Sequence, residues 1–164
     1  RLDKDSTGLL LMTNNGDIIN KMMRAGNYHE KEYLVRVNRP VTEAFLSGMA
    51  KGGIPVQEQQ TRPCKVEKTG ERTFRIILTQ GLNRQIRRMC EALGYEVKDL
   101  LRVRVMNITL DGLKDGQYRK LTDQELNELY DQLKDSSALP GGKYQEQWAA
   151  TQDSRTRHGK GKKR

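Results

Sequence analysis

Gln80-Gly-Leu-Asn-Arg-Gln-Ile-Arg-Arg-Met-Cys-Glu-Ala-Leu93 is the stretch on which the fold turns, because it sets a helical pattern between two β patterns. On a helical wheel Ile86, Met89, Cys90 and Leu93 share one side, Arg84, Arg88 and Glu91 the other, and Arg87 sits at the boundary. Asn83 is a good N-cap and Gly94 a good stop, so the spacing predicts a helix over 84–93. Upstream, 64–68 and 72–80 flank Thr69-Gly70 in the manner of a hairpin. Downstream, 102–110 reads as one long strand whose alternation changes phase, with Val103 and Val105 on one face and Ile108 and Leu110 at the other parity. A bulge near Met106-Asn107 accounts for that change.

Working outward, Leu9-Leu10-Leu11-Met12 is a short apolar run closed by Asn14-Asn15-Gly16, which reads as a buried strand. Ile18, Ile19, Met22 and Met23 share a helical face over 17–24, and Gly26-Asn27 ends it. Tyr33, Val35 and Val37 alternate with Leu34 and Arg36, so 31–38 is a strand that Pro40 ends, and Thr42 caps a helix over 43–51. Thr122-Asp-Gln-Glu125 is a capping-box pattern opening a helix with Leu126, Leu129, Tyr130 and Leu133 inward. Strands and helices mix without a strict βαβ rhythm. The expected fold class is therefore α+β, a mainly antiparallel mixed sheet with flanking helices.

Of the 164 residues only 35% are apolar, and they concentrate before Ser136. Residues 137–164 read SALPGGKYQEQWAATQDSRTRHGKGKKR and lack any period, so they are expected to be a disordered tail after one domain over 1–136. The tail holds seven Lys and Arg against two Asp and Glu, more than half of the net charge of +9. A basic tail on a basic domain suits a polyanion, nucleic acid above all, and it equally suits a solubilising role. Cys64 and Cys90 have no metal-ligand or CxxC spacing, which reads as buried free thiols in a reducing cytoplasm. No apolar run reaches membrane length and no signal peptide is evident.

Three segments hold residues with chemical potential. The arginine helix, with the Gly81-Leu82-Asn83 turn before it, offers N–H groups and guanidinium groups to phosphate. It also reads as an ordinary amphipathic helix with a solvated basic face. Asp3, just ahead of the first strand, is a carboxylate placed to act as nucleophile or base, or simply a solvated terminal residue. Tyr33 opens an alternating strand, where its ring either packs or stacks on a bound base. His29 beside two glutamates reads as a surface residue with no metal-ligand spacing.

Taken together the segments resemble a known family. RLDKDSTGLLLMTNNGD (1–17), HEKEYLV (29–35), LTQGLNRQIRRMCEALGYEV (78–97) and VKDLLRVRVMNITLDGLKDGQYRKLTDQEL (97–126) resemble, in that order, the motifs of the RsuA-type RNA pseudouridine synthases. The resemblance spans roughly 1–135. The NRQIRRMCE wording and the Met-Asn after the arginine strand resemble the RluF branch, which acts on 23S ribosomal RNA. It implies an isomerase of ribosomal RNA needing no metal or organic cofactor, with a monomeric, cytoplasmic protein expected. Asp3 would be the nucleophile, Tyr33 would stack on the target base and help move a proton, and Arg87 would pair with Asp3. Leu100 would pack beside the pocket, and Arg84, Arg88, Arg102 and Arg104 are candidates for RNA backbone contacts. The family usually has strands ahead of R-L-D and often an S4-type domain, so the chain, starting at Arg1, is expected to be a C-terminal portion. An RNA-binding module that kept the fold without the chemistry is the competing expectation.

Overall fold

The computed structural model describes residues 1–136; the expected tail over 137–164 lies outside the described residues. In chain order the elements are β1 (Thr7–Gly8), α1 (Gly16–Met23), a 3-10 turn (Ala25–Asn27), β2 (Lys31–Val37) and α2 (Glu43–Ala50). A small ribbon of β3 (Pro55–Val56) and β4 (Gln59–Gln60) precedes the hairpin β5 (Lys65–Gly70) and β6 (Thr73–Leu78). Then come α3 (Gln85–Ala92), β7 (Val97–Val105), β8 (Ile108–Thr109) and α4 (Asp123–Leu133). The main sheet runs β1-β7-β2-β6-β5, with β8 also on β7. Among the described residues only the β1–β7 pairing is parallel; the others are antiparallel. The α+β expectation holds.

The sheet covers two cores. One buries Val35, Val37, Phe45, Met49, Phe74, Ile76, Ile86, Met89 and Cys90 between the sheet and helices α2 and α3. Phe45 anchors it, edge-on to Phe74 at 5.2 Å and tilted against Tyr95 at 4.1 Å. The other gathers Leu9, Met22, Val105, Ile108, Leu129 and Leu133 under α1 and α4. Local signals set the ends of the helices: Asn15 and Thr42 accept from Asp17 N–H and Phe45 N–H, and Thr122 and Glu125 form the full capping box. Gly94, at φ 80°, closes α3 as expected.

Five local expectations need correction. Leu9–Met12 is not a strand: pairing ends at Gly8, Leu9 is buried, and Leu10 and Met12 point outward at 55% and 89% exposure. The reason is Gly8 itself, whose φ of +114° turns the chain against the backbone of β7. The phase change between Val105 and Ile108 is not a bulge, and the register shift of β7 lies upstream at Val103, where Glu32 faces Arg104 and Tyr33 faces Arg102. Met106-Asn107 is instead the turn of a β7–β8 hairpin, with Met106 at φ 53° and Asn107 Nδ2 donating to Glu125 O. The β5–β6 turn falls at Glu71-Arg72, two residues late, because a register shift after Lys68 absorbs Thr69. Asn83 does not cap α3: the N-cap is Arg84 at φ 51°, and no side-chain bond caps it. Tyr130 faces solvent at 52% exposure, since Leu129 and Leu133 alone fill the narrow contact of α4.

A Cβ added at Gly8 would lie 2.2 Å from the Arg102 carbonyl oxygen. Gly8→Ala therefore has to detach β1 or distort β7, and is expected to cost about 2–4 kcal/mol in urea-denaturation stability. A loss under about 0.5 kcal/mol would mean that β1 is not held against β7 in solution.

Candidate active site

Where the two cores meet, a cleft of about 430 Å3 opens between the N-terminal segment, β2, β7 and the start of α3. Ile19 and Met23 close it from one core, and Leu78, Ile86 and Leu100 from the other. Its polar lining includes Asp3, Lys31, Tyr33, Arg84 and Arg102.

Strand geometry explains the convergence. Lys31, Tyr33 and Val35 alternate onto one face of β2. The Val103 bulge then brings Val105, Arg102 and Leu100 of β7 opposite them in turn. Without that extra residue Arg102 would fall out of step with Tyr33. Arg102 is 4% exposed and donates from Nε and Nη2 to the Leu9 carbonyl at 3.0 and 2.8 Å. Its own carbonyl accepts from Leu9 N–H at 2.8 Å. Its guanidinium also reaches the Tyr33 hydroxyl. Burial pushes the Tyr33 phenol up despite that neighbour, with the Asp3 charge adding to the rise. At neutral pH Tyr33 is thus an O–H donor and not a phenolate.

The segment carrying Asp3 is fastened from the other side by Asp5. Arg84 grips its carboxylate in a two-pronged pair at 2.9 and 2.8 Å. Arg87 Nη2 donates to the Asp5 carbonyl at 2.6 Å, with Nε 3.5 Å from the carboxylate. The hydrogen bonds from Arg84 hold the Asp5 carboxyl down at about 2. The expected pairing of Arg87 with Asp3 is therefore not what the fold builds: Arg87 turns to Asp5, and Asp3 has no ion-pair partner among the described residues. Arg87 is also buried instead of lying at the boundary between the two faces of the helix. The left-handed backbone at Arg84 aims its side chain back over Asp5.

The expected phosphate contacts divide. Arg84 lines the cleft, and Arg88, half-buried, donates to Asn83 Oδ1 at 3.3 Å. Arg102 is buried in the fold. Arg104 is spent on Glu32, Glu30 and the Met106 carbonyl, so neither is free for phosphate. The Leu82 N–H at the start of α3 is already taken by Gln85 Oε1 at 3.0 Å. Burial pushes the Cys64 and Cys90 thiols up to about 11 and 12; Cys90 lies in the core as expected, while Cys64 is only partly buried against it. Sequence reading missed Asp5 and Lys31. Lys31 had a usable signal, a charge at a core-facing position of an alternating strand; Asp5 had none, since its partners lie some eighty residues away.

The model of the RNA pseudouridylate synthase family matches residues 1–92. The chain belongs to that family. It is 56% identical over 138 residues to the dual-specificity RNA pseudouridine synthase RluF of Escherichia coli K12, covering 84% of this chain and 47% of that protein. It is 36% identical over 135 residues to the ribosomal large subunit pseudouridine synthase B of Bacillus subtilis, covering 79% of this chain and 55% of the relative. A solved pseudouridylate synthase superposes with a TM-score of 0.73 at 33% identity, over 78% of this chain and 56% of that one. The chain is thus an RsuA-type member nearer to RluF than to the large-subunit enzyme, and it spans about half the length of the relatives it matches.

The Asp5 clasp makes a measurable statement. Its folded pKa lies below the ordinary 3.8, so its contribution is present above pH 3.8 and is lost as pH falls through about 2. Asp5→Asn is expected to speed amide exchange at Ser6, whose N–H bonds to Asp3 O, while β6 amides stay protected. An unchanged Ser6 rate would show that something other than Asp5 holds the segment.

Proposed function

We propose that the protein isomerises a uridine of ribosomal RNA, of the 23S species, to pseudouridine, with Asp3 as nucleophile. The observation that carries this reading is the meeting of Asp3, Tyr33 and Leu100 in one cleft, although thirty to almost a hundred residues of chain separate them. Membership of the family supports the reaction class. The RNA target is inferred from relatives named for ribosomal RNA and from a positively charged cleft.

The reaction is a rearrangement and needs no co-reactant. Asp3 attacks C1′ as the N1–C1′ bond breaks, the base turns, and C5 then displaces the carboxylate, so that the Asp3–C1′ bond breaks as the C5–C1′ bond forms. The proton on C5 leaves and N1 gains one. Tyr33 offers a stacking face to the extruded base, and its protonated hydroxyl serves as a hydrogen-bond donor. Leu100 and Ile86 supply an apolar wall that excludes water from the detached base. Arg102 holds Tyr33 and the N-terminal segment, acting as a positioning residue and not as a phosphate contact. Arg84 and Arg88 contact the RNA backbone, Arg84 by exchanging its hold on Asp5 for a phosphate. Arg87 keeps the Asp3 segment against α3 through Asp5. We place the catalytic domain in residues 1–136, acting as a monomer, without metal or cofactor, in the cytoplasm.

Tritium release from unmodified ribosomal RNA labelled at uridine C5 tests the proposal. Wild type is expected to release tritium, and Asp3→Asn to release it about 10^3–10^4-fold more slowly. Tyr33→Phe should retain RNA affinity, since the stacking face survives, and lose turnover. Activity in Asp3→Asn would remove Asp3 from the chemistry. RNA binding by wild type without tritium release would favour a binding module.

A further inference from the structure

Lys31 is a buried cation of the cleft that this mechanism leaves unused. Its side chain is 3% exposed, and Nζ is buried with no hydrogen-bond partner. β2 fixes it between Leu78 of β6 and Val105 of β7, two residues along the same face from Tyr33. The charged groups around it are Arg102 from β7 and Arg62 from the loop ahead of β5, both positive. Arg62 is itself held by the Ala25 and Thr79 carbonyls and stacks 3.9 Å from the centre of the Tyr28 ring. Asp3 lines the same cleft but makes no hydrogen bond to the Lys31 ammonium. Burial, followed by these two guanidinium groups, pulls the Lys31 ammonium down to about 8 from 10.5. A buried ammonium among like charges, with no acceptor, is a costly arrangement that an arriving anion would relieve.

We propose that Lys31 is a phosphate-binding residue, receiving a backbone phosphate of the nucleotide whose base stacks on Tyr33. The inference rests on RNA being the substrate. A phosphate fits better than a uracil carbonyl because three clustered cations call for a full negative charge. The spacing agrees, since residues two apart on a strand lie about 6–7 Å from each other, the scale of a base and its own phosphate. Free, the site stores an unsatisfied charge; occupied, it turns the same charge into affinity.

The sign of the pH effect follows. Because the folded value lies below 10.5, the ammonium destabilises the free protein below about pH 8, and that penalty fades as pH rises from 8 to 10.5. Phosphate binding needs the protonated form, so RNA affinity should weaken as pH passes above about 8.

The test compares wild type and Lys31→Met by fluorescence anisotropy on a labelled single-stranded RNA, across salt and from pH 7 to 9.5. Lys31→Met is expected to melt at or above the wild-type temperature, which shows that it folds, and to bind RNA about 10- to 100-fold more weakly. Its slope of log affinity against log salt should be shallower by about 0.7–0.9, one phosphate's worth. The loss of affinity above pH 8 should vanish with the side chain. An unchanged slope, with or without weaker binding, overturns the proposal, because the ammonium would then meet a neutral base edge or nothing. Tritium release by wild type is scored separately. Its absence alongside the expected slope change would defeat the catalytic reading and leave Lys31 as a phosphate site.

Discussion

A guanidinium that is 4% exposed must find acceptors, and Arg102 finds the Leu9 carbonyl with two of its nitrogens. The same residue accepts the Leu9 N–H through its own carbonyl and faces Gly8 across the parallel β1–β7 pairing. Two residues of strand are too few to hold a chain end by backbone bonds alone. The side chain and backbone of Arg102 together make that short pairing durable. Asp3 is positioned from there, and the Tyr33 hydroxyl lies against the same guanidinium. A charge that cannot be neutralised by proton loss thus ties the N-terminal segment, the central strands and the cleft into one arrangement.

The Val103 bulge is what lets Arg102 do this. Side chains on β7 would otherwise keep a strict two-residue alternation, and Arg102 and Val105 could not share a face. One extra residue resets the phase, so that Leu100, Arg102 and Val105 stand opposite Val35, Tyr33 and Lys31. Arg104, on the other face, is left to Glu30 and Glu32. Two arginines two positions apart thereby take unrelated roles, one inside the cleft and one in a carboxylate cluster that fixes the strand.

The cleft collects positive charge at a seam. Lys31, Arg84 and Arg102 line it with Asp3, while Leu78, Ile86 and Leu100 supply low-dielectric walls. Such walls strengthen the pull on a polyanion more than the same charges would on an open surface. The Asp5 clasp keeps Arg84 and Arg87 from spreading into solvent and holds the Asp3 segment against α3. The chain belongs to the RNA pseudouridylate synthase family and spans about half the length of the relatives it matches.

The amino-acid sequence by itself determined the helices, most strands and the order of the motifs. Periods of two and near four, Asn15, Thr42 and the Thr122–Glu125 box, and Gly94 are local signals, and local signals survive without knowledge of neighbours. The resemblance its motifs carry, and not periodicity or spacing, singled out Asp3, Tyr33 and Leu100, which the fold brings to one cleft. What it could not supply were the partners. Arg87 meets Asp5 and not Asp3, Arg102 is buried against Leu9 and Arg104 against two glutamates, and the bulge lies at Val103 instead of Met106. Each depends on which strands lie side by side and in what register, and on distances between residues far apart in the chain. Those are properties of the packed sheet, so only the tertiary structure decided them.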